Sequence, residues 1–101
     1  MRNPFRRPTA TSHAEASEHA AAGGVVVYWR PGCPFCMILR TAVSADADKA
    51  AWVNIWDDPD AAAYVRSVND GNETVPTVVI DGAPHTNPAP GLVAAALAAA
   101  G

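Results

Sequence analysis

Val25-Val26-Val27-Tyr28-Trp29-Arg30-Pro31-Gly32-Cys33-Pro34-Phe35-Cys36 decides the fold. Residues 25–29 are β-branched and aromatic with no charge, which predicts a buried central strand. Arg30-Pro31-Gly32 breaks it. Pro34 then stands where a first helical residue belongs, because its fixed φ suits that position and its missing N–H costs nothing there. A helix is predicted over residues 34–45, so the two cysteines fall at a strand-to-helix junction.

Downstream, residues 51–56 alternate and predict a second strand. Asp58-Pro59 repeats the helix-start signal, with Asp58 as cap and Pro59 as first residue. That helix ends near Asn69-Asp70-Gly71. Residues 77–80 predict a third strand, and Asp81-Gly82 a hairpin turn into a short antiparallel fourth. Asn87-Pro88 opens a last helix over 88–100. The order is β-α-β-α-β-β-α. A strand–helix–strand opening requires a parallel pair with a right-handed crossover, and the closing hairpin makes the sheet mixed. The fold class is therefore α/β, a four-stranded mixed sheet with helices on both faces.

The 101 residues suffice for one domain. Residues 1–23 read as a disordered N-terminal tail, with the domain over 24–101. A transient helix over 13–22 is conceivable there, but its apolar side chains are nearly all alanine and bury too little to anchor it. The tail sums to +1 and the remainder to −4, which gives no footprint for nucleic acid. No apolar run is long enough for a bilayer, and the start lacks the apolar stretch of an export signal. The expected location is cytoplasmic, without membrane attachment. In a reducing compartment, paired cysteines are more often catalytic or metal-binding than structural.

Cys33 would sit at the helix N-cap, facing unpaired N–H groups and the positive end of the helix dipole. Both favour thiolate over thiol, and Arg30 adds to that. Cys36, one turn on, should be more buried and less reactive. Cys33 then attacks and Cys36 resolves. Half of a zinc site, an inert disulfide and an iron–sulfur cluster shared between two chains compete with this reading. Zinc needs two more ligands, and His13, His19 and His85 lack ligand spacing. Phe35 should be exposed beside Cys33. Trp29, Trp52 and Trp56 read mainly as core or sheet-face residues, with Trp29 the one placed to touch a substrate. Thr74-Val75-Pro76-Thr77 precedes the third strand, where proline cannot donate to a ladder. On local grounds its peptide bond is expected to be trans.

Tyr28-Trp29-Arg30-Pro31-Gly32-Cys33-Pro34-Phe35-Cys36, Thr74-Val75-Pro76-Thr77 and Thr86-Asn87-Pro88 together resemble the glutaredoxins. The stretch from Val65 to Pro76 is most similar to the actinobacterial mycoredoxins. The resemblance implies a thioredoxin-like (glutaredoxin) fold and a thiol–disulfide oxidoreductase with Cys33 as nucleophile and Cys36 as second thiol. It also implies a cis Val75–Pro76 bond, reversing the local expectation. Arg30, Pro34, Phe35, Thr74, Val75, Pro76, Thr86 and Asn87 become the expected substrate contacts. The expected substrates are mixed disulfides between proteins and a low-molecular-weight thiol. Mycothiol is the expected co-substrate, with no bound cofactor or metal. Many glutaredoxins carry Gly-Gly-Asp-Asp-like residues before the last helix. Here Gly82-Ala83-Pro84-His85-Thr86-Asn87-Pro88 stands instead, which argues against glutathione. A monomer is expected, recharged through a thioredoxin reductase or mycothione reductase system. The alternatives are a dithiol electron donor to ribonucleotide reductase and an iron–sulfur cluster carrier.

Overall fold

The computed structural model describes residues 11–100. Four strands form one mixed sheet in the order β2-β1-β3-β4. Strand β1 (Val26–Trp29) runs parallel to β2 (Ala51–Asn54) and antiparallel to β3 (Thr77–Ile80), which pairs antiparallel with β4 (Ala83–Thr86). Helix α2 (Pro34–Ala42) crosses from β1 to β2 and gives way to a 3-10 helix over Ser44–Lys49. Helix α3 (Pro59–Val68) joins β2 to β3, and α4 (Pro90–Ala100) closes the chain.

Alternation along β1 divides the core. Val25 and Val27 pack with Leu39 of α2 and with Val93 and Leu97 of α4. Val26 and Tyr28 face the other way, onto Ala61 and Val65 of α3. Asp58 caps α3 through its side chain and Pro59 follows it, so that start signal is read correctly. At the β3–β4 hairpin both Asp81 and Gly82 have positive φ, 51° and 77°. That is the backbone of a type I′ turn, whose twist suits a two-residue loop.

The N-terminal region differs from the expectation of a disordered tail over 1–23. Helix α1 (His13–Ala21) is formed and packs on the same sheet face as α3. Its start is a capping box: the Ser12 hydroxyl accepts from Glu15 N–H, and the Glu15 carboxylate accepts from Ser12 N–H. Ala16 is fully buried. Polar tethers supply what the alanines cannot. The His13 N–H donates to Asp58 Oδ2 at 2.7 Å, and His13 Nδ1 pairs with the Tyr28 hydroxyl at 2.9 Å. The His13, Tyr28 and Tyr64 rings cluster with centroids 5.0–5.7 Å apart. His19 Nε2 reaches the Lys49 carbonyl. Residues 11–23 therefore belong to the folded unit, and the expected boundary at 23/24 does not hold. Residues 1–10, the rest of the expected tail, lie outside the described residues.

Smaller differences occur at element ends. Helix α2 stops at Ala42 rather than 45, β2 at Asn54 rather than 56, and α4 begins at Pro90 rather than 88. Asn87 has φ 45° and turns the chain before α4 starts.

Candidate active site

The parallel pairing of β1 and β2 brings their C-terminal ends to one edge of the sheet. Trp29 is paired with Asn54 there, so the segments after both strands flank the start of α2. Cys33 is the N-cap of that helix. Its backbone is extended (φ −88°, ψ 112°), and its Sγ accepts from the Cys36 N–H at 3.3 Å. One of the unpaired donors of the first turn is thus aimed at the sulfur, which is the arrangement that stabilises negative charge. Pro34 at the first helical position leaves no competing N–H.

The third strand closes the site from the other side. The Val75–Pro76 bond is cis, as the resemblance implied and local statistics did not. The Cys33 thiol points at the Val75 carbonyl, 3.7 Å away. The bond between Asn87 N–H and the Pro76 carbonyl, 2.7 Å, ties the end of β4 to the same loop.

Both cysteines are free thiols. They are also equally enclosed, Cys33 at 3% and Cys36 at 4% exposure. The expected contrast in burial is absent, because the Cys33 side chain turns inward to meet the Cys36 N–H and Val75. What sets Cys36 apart is its electrostatics. Burial first, and then the neighbouring Cys33 sulfur, push the Cys36 thiol up to about 12. Cys36 is therefore held protonated.

Other expected contacts divide. Phe35 is 57% exposed beside the cysteines. Arg30 lies near the turn, its Nη1 donating to the Pro31 carbonyl, with its guanidinium 5.9 Å from the centre of the Trp56 ring. The Thr74 carbonyl accepts from the Thr77 hydroxyl. Thr86 is exposed, and its hydroxyl donates to Asn69 Oδ1. Trp52 is buried, as expected of a sheet residue, but Trp56 is 62% exposed at the site edge. Ending β2 at Asn54 puts Trp56 in a turn, where alternation no longer governs its direction. In sequence Asn69 marks only the end of α3. No motif marks its side chain, which forms three bonds around the third strand. Trp29 is partly buried, and its buried indole Nε1 has no hydrogen-bond partner among the described residues.

A buried cysteine pair at a helix start, facing an X–Pro loop at the start of an antiparallel strand, agrees with the comparisons to known proteins. The glutaredoxin family model matches residues 25–84. Mycoredoxin 1 of Corynebacterium glutamicum is 38% identical over 65 residues, covering 63% of this chain and 80% of that protein. A Mycobacterium tuberculosis protein named as a candidate glutaredoxin is 42% identical over 65 residues, covering 63% of this chain and 77% of its own length. The crystal structure of a wheat glutaredoxin superposes with a TM-score of 0.59 at 26% identity, covering 87% of this chain and 92% of the other. Among the described residues no helix is long and apolar enough to cross a membrane. On the family match and the shared fold, this chain belongs to the glutaredoxin family and is a thiol–disulfide oxidoreductase.

Proposed function

We propose that the protein reduces mixed disulfides between proteins and mycothiol in the cytoplasm, with Cys33 as nucleophile. The observation that carries the assignment of roles is the asymmetry at the start of α2. Cys33 Sγ receives the Cys36 N–H at 3.3 Å, whereas the Cys36 thiol is pushed up to about 12. The Cys33 thiolate attacks the mycothiol sulfur of the mixed disulfide. The protein thiolate leaves, and a Cys33–mycothiol disulfide remains. A second mycothiol thiolate then attacks the mycothiol sulfur of that adduct, forming oxidised mycothiol and releasing the Cys33 thiolate. Alternatively, Cys36 loses its proton and attacks Cys33 Sγ, which expels mycothiol and leaves an intramolecular disulfide. The second route starts from a thiol held protonated, so it is the slower at neutral pH.

Loss of the Cys33 proton also releases the Val75 carbonyl, which the thiol occupies at rest. An extended substrate can then donate to that carbonyl as an added strand. Three features favour mycothiol over glutathione. Residues 82–88 lack the Gly-Gly-Asp-Asp-like segment. One relative is a mycoredoxin. The Arg30 guanidinium and the exposed Trp56 ring form a charged and flat platform at the site edge, suited to a thiol that bears sugar-like rings.

The test supplies mycothiol, glutathione and thioredoxin reductase as separate reductants of a defined mixed disulfide. Turnover with mycothiol that survives Cys36→Ser and is abolished by Cys33→Ser is expected. Dependence on thioredoxin reductase, with loss in Cys36→Ser, would instead identify a dithiol donor. Iodoacetamide alkylation against pH assigns the roles: Cys33 in Cys36→Ser should react faster at pH 7 than Cys36 in Cys33→Ser. The reverse order would overturn the assignment.

A further inference from the structure

We propose that Asn69 is a positioning residue, holding the backbone at Val75 at the height where an incoming disulfide meets Cys33. The proposal rests on the reading that Val75 presents its backbone to the substrate.

Asn69 follows the last residue of α3, and its side-chain hydrogen bonds go to neither cysteine. Its side-chain amide is engaged at both ends. Nδ2 donates to the Val65 carbonyl at 2.9 Å and to the Thr77 hydroxyl at 3.1 Å, while Oδ1 accepts from the Thr86 hydroxyl. The direction of every bond is fixed by chemistry. A backbone carbonyl can only accept, so the group facing Val65 has to be the NH2 end. The Thr77 oxygen therefore receives an N–H from Asn69, and its own proton goes to the Thr74 carbonyl at 2.8 Å. Thr74 is bonded to Val75, whose carbonyl faces Cys33 Sγ. The Asn69 side chain thus starts a polar relay through Thr77 to the loop that borders the nucleophile.

Thr77 is wholly buried and is the one polar residue in the described core. An apolar residue would pack there at no cost in hydrogen bonding, and a polar one is tolerated only when its bonds are satisfied. Asn69 and Thr74 satisfy it. Thr86 lies opposite Thr77 in the β3–β4 register, and Asn87 N–H holds the Pro76 carbonyl. The loop is consequently fixed at Thr74 by the relay from α3 and at Pro76 by β4. Val75, between these two anchors, is left to face the sulfur.

The test uses Thr77→Val, which keeps shape and removes the relay, Thr77→Ser, which restores the hydroxyl, and Asn69→Asp, which keeps shape and removes both donors. Leu97→Ala, fully buried on the opposite sheet face, serves as a destabilised control. Kinetics on a peptide–mycothiol and a peptide–cysteine disulfide are measured well below each melting temperature. In Thr77→Val and Asn69→Asp, KM for both disulfides should rise about five- to tenfold, the scale of one lost hydrogen bond. Alkylation of Cys33 by iodoacetamide, which needs no backbone pairing, should stay within about twofold, the spread left by small surface effects. Thr77→Ser should return KM toward wild type, and Leu97→Ala should leave it there. Equal KM for Thr77→Val and Thr77→Ser would overturn the proposal, as would a fall in Cys33 alkylation of the same size as the rise in KM. Should Asn69→Asp not fold, the Thr77 pair decides alone. A wild type that prefers the peptide–cysteine disulfide would defeat the mycothiol reading and leave the positioning role standing, because the expected KM change is common to both substrates.

Discussion

Replacing Asp58 separates the two jobs its carboxylate performs. Oδ1 accepts from the Asp60 and Ala61 N–H groups and caps α3, while Oδ2 accepts from the His13 N–H and tethers α1. Asparagine caps as well as aspartate, but it has one acceptor oxygen, so Asp58→Asn keeps the cap and turns an NH2 group against the His13 donor. A hydrogen bond to a charged group contributes about 1.5–3 kcal/mol, and partial exposure puts this one at the low end. Loss of the negative charge at the start of α3 adds roughly 0.5 kcal/mol. Asp58→Asn should therefore destabilise by about 2 kcal/mol, and Asp58→Ala by about 3, since alanine also forfeits a cap of about 1 kcal/mol. At about 4–8 °C per kcal/mol for a domain of this size, Tm falls by roughly 8–16 °C and 12–24 °C. Thermal unfolding followed by circular dichroism measures both, and hydrogen exchange of the α1 amides locates the loss in the first. The pH dependence supplies a second reading. The His13 N–H, more than any other group, holds the Asp58 carboxyl below its ordinary value. A lowered acid favours the folded state when ionised. Its contribution is complete above the ordinary carboxylate range and disappears as pH falls through the lowered value. The gap between wild type and Asp58→Asn should therefore narrow in acid. A wild-type Tm in Asp58→Asn at pH 7 would refute the tether, and equal Tm values for the two variants would refute the cap.

A chain starting at Gly24 should lose about 2–3 kcal/mol, because the His13 bonds to Asp58 and to the Tyr28 hydroxyl go together, at about 1.5 and about 1 kcal/mol; chemical denaturation checks this, and an unchanged midpoint would return α1 to the status of a dispensable tail. Gly24→Ala should disturb the same junction, since a Cβ there would run into the His19 imidazole and displace it from the Lys49 carbonyl; a Tm drop of roughly 4–8 °C is expected for a bond of about 1 kcal/mol, and none should follow if His19→Ala is already present. Stability should fall as pH rises above the ordinary thiol value of 9.0 toward about 12, because Cys36 is held protonated in the fold and ionises sooner when unfolded. Urea titrations at pH 8 and pH 10.5 on wild type and Cys36→Ser test this, with a smaller decline expected in the variant; Tyr28, also raised by burial, contributes to both.

The parts of the fold that were legible in the sequence are those where one local rule acts alone. The apolar run of β1, the Asp58-Pro59 and Cys33-Pro34 helix starts, and the Asp81-Gly82 turn each depend on neighbours within a few residues. Helix α1 departs from the expectation because its caps and tethers, not its apolar content, hold it. Ser12 and Glu15 carry the spacing of a capping box, which was a visible signal. The bond from His13 to Asp58 spans 45 residues and was not visible. The candidate site divides the same way. The position of Cys33 at a helix cap follows from the order of residues 25–36. Its enclosure by Val75, and the exposure of Trp56, depend on how distant strands come together. Asn69 has the composition of an ordinary helix end, and only the assembled sheet reveals what its amide reaches.

The contact between Cys33 and Val75 joins segments 42 residues apart, whereas the spacing of Cys33 and Cys36 is set within one helical turn. The two thiols can therefore meet each other in the emerging chain before the third strand exists to shelter them. During synthesis they are therefore less sheltered than in the finished fold, where each is nearly buried. A slowing of Cys36 labelling during a pulse of thiol reagent would consequently register completion of the sheet, turning the second thiol into a built-in clock for the last step of folding.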